Sequence, residues 1–125
     1  MKKLMLLAGA AALMATPAFA DLASALSTAQ THAGMAAAQT DIMKVHMHLQ
    51  HAVNCLVGTN GAGFDGSMGN PCGKETSGAI DASSGAQKDK LTKIAADAKA
   101  GVGNADLAAS QAAAKSTADA IAAAK

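Results

Sequence analysis

The chain has no tryptophan, no tyrosine and no arginine, and only two prolines. Without arginine, and with a net charge of +1, it offers no basic patch for nucleic acid and no acidic tail. Without Trp, Tyr or Arg it also lacks the residues that usually anchor large protein interfaces. A C-x-x-C-H haem attachment motif is missing. The scarcity of aromatics argues against a b-type haem held by His and Met in a bundle, so no haem is expected. The oxygen side chains do not follow the D-x-[DN]-x-[DN]-G spacing of a calcium loop. No serine or cysteine sits in a nucleophile elbow, and no partner constellation surrounds the histidines. The reading is therefore a non-enzyme.

The N-terminus reads as an export signal. Lys2 and Lys3 precede an apolar run over 4–14 that is too short to span a bilayer, and Ala18-Phe19-Ala20 is an A-x-A cleavage site. These features predict a mature chain starting at Asp21, periplasmic or secreted, with no later membrane span. No cysteine follows the cleavage site, which argues against a lipoprotein anchor there. Phe64 is then the sole Phe, Tyr or Trp.

The remaining 21–125 reads as one all-α domain, a small alanine-rich antiparallel bundle of about three helices over 22–57, 86–100 and 105–124. Each buried Leu or Ile stabilises by only about 1.5–3 kcal/mol, and there are few of them, so such a domain needs a staple. Cys55 and Cys72 are the only cysteines. In an oxidising compartment they are read as a disulfide, with a pair of thiolate metal ligands as the rival. The glycines and Asn, Asp and Ser residues of 58–85 predict a loop tied by that bridge, with turns at Asp65-Gly66 and Asn70-Pro71 and with Phe64 tucked back onto the helices. No proline interrupts 22–57, so a single helix is preferred there. The alternative is a second helix capped by Thr40-Asp41.

The stretch DIMKVHMHLQHAVNCLVG, 41–58, carries three of the four histidines. On a helix, Ile42, Val45, Leu49, Val53 and Leu56 form an apolar stripe. Met43, His46, Met47 and Gln50 share a second face, and His48, His51 and Cys55 a third. Side chains three or four residues apart can reach one ion. The units present are His32-x-x-Met35, Met43-x-x-His46, Met47-x-x-x-His51 and His48-x-x-His51. Thioether sulfur suits cuprous copper or silver, so Met43, His46 and Met47 suggest a soft ion, while His48 with His51 suits zinc or cupric copper.

These M-x-x-H and H-x-x-M units, within 32–51, resemble those of periplasmic silver- and copper-binding proteins, which implies soft-metal binding. The pattern HLQHAVNCLVG followed by NPC is similar to small exported proteobacterial helical proteins of unassigned function, which implies a fold family but no activity. The expectation is a copper or silver buffer using Met43, His46, Met47, His48 and His51, with zinc as second choice. The alternative is a structural or interaction module of the cell envelope that takes no metal.

Overall fold

The computed structural model describes residues 17–73 and 77–125. Most of the expected signal peptide, 1–16, lies outside them. The described residues form helices α1 (Pro17–Ala37), α2 (Ile42–Val57), α3 (Gly78–Ala82), α4 (Gly85–Val102) and α5 (Leu107–Ala124), with a 3-10 turn at Gly66–Met68. There is no strand among them. The all-helical class expected from the sequence is present. The count of about three helices is not, because 22–57 is divided and 58–85 contains both the 3-10 turn and α3.

The division of 22–57 has two causes. Asp41 adopts an extended conformation and its carboxylate accepts from the backbone N–H of Met43 at 2.8 Å, an N-cap that offers the chain an alternative to continuing the helix. The second cause is burial. The stripe of Ala25, Leu26, Ala29, Ala33 and Ala36 has nothing to cover it on an isolated helix. Folding α2 back against α1 covers that stripe with the one from α2, and this outweighs the modest helix propensity of the four linking residues.

Helices α1, α2, α4 and α5 form a four-membered ring in which each packs against two neighbours. Short links make α1–α2 and α4–α5 antiparallel. Gln111, near the start of α5, donates to the carbonyl of Gln39, just past the end of α1, so that pair is antiparallel too. His46, near the start of α2, reaches Asn104 beyond the end of α4, which sets the fourth pair the same way. Small residues set the spacing: Gly101 of α4 faces Leu49 of α2 and Ala113 of α5, and the site of its absent Cβ is 2.7 Å from the Ala113 Cβ. Leu49, Val53, Leu56, Leu91 and Ile121 are buried at the centre.

The Cys55–Cys72 disulfide is formed. It ties 58–73 to the last turns of α2, and Phe64 lies partly buried against the core. Asp65 caps the 3-10 turn by accepting from the Ser67 N–H, and Asn70 accepts from the Cys72 N–H across Pro71, so both expected turns are present. Two amides of α2 anchor this loop. Gln50 donates to the carbonyl of Gly63 and to Asn54 Oδ1, while Asn54 donates to the carbonyls of Asp65 and Gly69 and accepts from the Asp65 N–H. Lys99 of α4 completes the set by donating to Gln50 Oε1 at 2.6 Å. Among the described residues no buried side-chain nitrogen or oxygen is left without a partner. No helix there is long and apolar enough to cross a membrane.

Candidate metal centre

The α1–α2 hairpin brings His32 of α1 beside His48 and His51 of α2. The Nδ1 of His32 lies 3.3 Å from the Nδ1 of His48 and 3.3 Å from that of His51. Ligand atoms of all three fall within 4.8 Å of one another, and each residue is partly buried. The rings of His32 and His51 meet edge to face with centroids 4.9 Å apart.

Behind His51 stands the disulfide-tied loop. Its Nε2 is 2.6 Å from the carbonyl oxygen of Met68. A carbonyl only accepts, so Nε2 carries a proton, and neutral His51 presents a bare Nδ1 to the other two rings. Next to that contact the backbone must be glycine. Gly69 has φ +99, and a Cβ there would sit 2.9 Å from His51 Nε2.

Protons alone serve this cluster poorly. His32 Nδ1 makes two short N···N contacts, and one nitrogen can carry one proton. With His51 Nδ1 bare, only one of the two contacts can be a well-directed hydrogen bond, so lone pairs face the centre. Positive charge is opposed as well. Burial, then the neighbouring His51 and His48, lowers the His32 pKa from its ordinary 6.5. Burial, then His51, lowers that of His48. Both rings thus favour the neutral form that ligates metals.

The expected ligands are distributed differently from the sequence reading. His48 and His51 are in the cluster. His46 is turned to the link between α4 and α5, where its Nε2 donates to the Asn104 carbonyl at 2.8 Å and lies 3.3 Å from Ser110 Oγ. Met43, on that face, is 66% exposed, and Met47 is partly buried. The cysteines are bridged, so they are not thiolate ligands.

The sequence reading paired His32 with Met35 by spacing and did not place it in the expected ligand set with His48 and His51. Along one straight helix the 16-residue step from His32 to His48 would span about 24 Å. Folding at the Asp41 cap reduces this to direct contact. A signal was present: His32 and His48 lie symmetrically about Thr40, so an antiparallel hairpin turning there pairs them. No family model, no curated protein and no solved structure matches this chain.

Proposed function

We propose that the protein binds one transition-metal ion between His32, His48 and His51 and serves as a metal-binding or buffering protein without catalysis. One observation carries this reading. Nitrogens bound at 2.0–2.1 Å around a tetrahedral ion are spaced about 3.3–3.4 Å apart. The two Nδ1 contacts of His32 are both 3.3 Å. The third edge closes by side-chain rotation within the 4.8 Å limit. The Met68 carbonyl supports the same reading, since metal-binding imidazoles usually donate their other N–H to a carbonyl or carboxylate that fixes the ring.

Three imidazoles suit zinc and cupric copper, which reverses the order expected from the methionines. Cuprous copper or silver would need thioether help from Met43 or Met47 beside His46, and His46 is engaged by Asn104. We further propose that the protein works after export, as the A-x-A site and the disulfide suggest. Exported protein should then begin at Asp21.

The test is titration of the purified protein with zinc, cupric copper and silver, followed by calorimetry and native mass spectrometry. One zinc or cupric ion per chain is expected, lost on His32→Ala. Absence of any binding tighter than about 10 μM, near −7 kcal/mol, would reject the metal reading and leave a structural module.

A further inference from the structure

Three side chains of α2, at His51, Asn54 and Cys55, reach into one short loop. His51 meets the Met68 carbonyl, Asn54 holds the carbonyls of Asp65 and Gly69, and Cys55 is bonded to Cys72. The Met68 carbonyl therefore lies between two carbonyls, of Asp65 and Gly69, that the Asn54 amide holds, and the covalent bridge ties the chain three residues beyond Gly69.

We propose that this loop is the positioning element of the metal site, and that the oxidation state of the Cys55–Cys72 bridge sets the affinity for the ion. This rests on the His32–His48–His51 reading above. With the bridge intact, the Met68 carbonyl holds the His51 proton on Nε2 and aims the bare Nδ1 at the ion. With the bridge open, the Asn54 amide alone ties 65–69 to this end of α2, the Met68 carbonyl is held less firmly, and His51 samples the other tautomer and other ring orientations more often. Each such state must be reversed before the ion binds. Cys72 is partly exposed while Cys55 is buried, so the sulfur of Cys72 is the one open to attack. A dithiol reductant would open the bridge. One thiolate attacks Cys72 and displaces Cys55, which takes up a proton. The second thiol of the reductant then closes the reductant's own disulfide and releases Cys72 as a thiol.

Outer partners of ligating histidines are typically worth 10–100-fold in affinity. The experiment compares zinc binding by the full protein with that of a Cys55→Ser, Cys72→Ser variant, which opens the loop without adding thiol ligands. Nitrogen-15 NMR of the imidazoles in the metal-free protein reads the His51 tautomer. The expected result is affinity weakened about tenfold or more, with His51 shifted from a pure Nε2–H form to a mixture while helical content is kept. A Gly69→Ala variant, with the bridge intact, disturbs the same contact and should weaken binding too. If the serine variant fails to fold, this variant carries the test of the loop contact, and the wild-type protein treated with a dithiol reductant carries the test of the bridge. Unchanged zinc affinity, or an unchanged His51 tautomer, in whichever of these variants folds would overturn the proposal. Failure of the wild-type protein to bind zinc would instead reject the metal reading itself. The tautomer comparison would still report on the loop.

Discussion

The Nδ1 atoms of His32 and His51 face one another at 3.3 Å, although 19 residues separate them in sequence. That contact exists only because α1 and α2 form a hairpin, so the candidate site and the bundle are consequences of the same fold-back. A change that straightens or loosens the hairpin should remove both.

The ligand assignment separates the two faces of α2. His32→Ala or His51→Ala should raise the zinc dissociation constant past about 10 μM. His46→Ala should leave it unchanged and cost about 1 kcal/mol in stability, because it removes a hydrogen bond to Asn104 at the α4–α5 link. Calorimetry and urea denaturation on the same variants check both halves. A loss of zinc binding in His46→Ala would return that residue to the site.

Acid should act on the metal-free protein through His32 and His48. Both have lowered pKa values in the folded state. Between those lowered values and the ordinary value of about 6.5, the unfolded chain binds more protons than the folded one, so stability rises with pH across that window. The contribution is complete above about pH 6.5 and is lost as pH falls through the folded-state values. Urea midpoints measured with chelator present should fall over that window, and His32→Gln should flatten the slope. A midpoint that rises on acidification would contradict the burial of these rings.

The staple and the amide clamp can be weighed separately. Loss of the bridge should lower stability by about 2–5 kcal/mol, chiefly through the unfolded state. Asn54→Ala keeps the bridge but leaves the Asp65 N–H and two loop carbonyls without their partner. At about 1–3 kcal/mol for each buried group left unsatisfied, the cost should reach about 3 kcal/mol. Chemical denaturation with the disulfide intact measures it, and a cost below about 1 kcal/mol would mean that water replaces the amide.

Much of the bundle was legible because it follows from periodicity. The stripe of Leu49, Val53 and Leu56 is buried, the two cysteines are bridged, and α4 and α5 start and stop within a few residues of the expected 86–100 and 105–124. The candidate site was only half legible. His48 and His51 share a face by spacing alone, but His32 joins them through a turn whose signal, Thr40-Asp41, competed with good helix formers on both sides. Gln50 and Asn54 were illegible for another reason. Their partners are backbone carbonyls of Gly63, Asp65 and Gly69, and a carbonyl belongs to every residue, so no side-chain pattern announces it.

Two helical glycines should respond in opposite directions to alanine. At Gly101 the new Cβ would meet the Ala113 Cβ at 2.7 Å and the Leu49 Cδ2 at 2.8 Å, both from other helices. Relieving that overlap means moving α4 away from its neighbours, with a cost of about 1–3 kcal/mol. At Gly34, on the exposed side of α1, nothing lies within 4 Å. Alanine there adds no clash and reduces the freedom of the unfolded chain, so it should stabilise by about 0.5–1 kcal/mol. Gly34 is close in sequence to His32 but on the outer surface of the helix, so zinc affinity should stay at the wild-type value. Thermal melts of the two variants decide the matter. If Gly101→Ala were as stable as wild type, the close approach of α2, α4 and α5 would not be what fixes the spacing of the bundle.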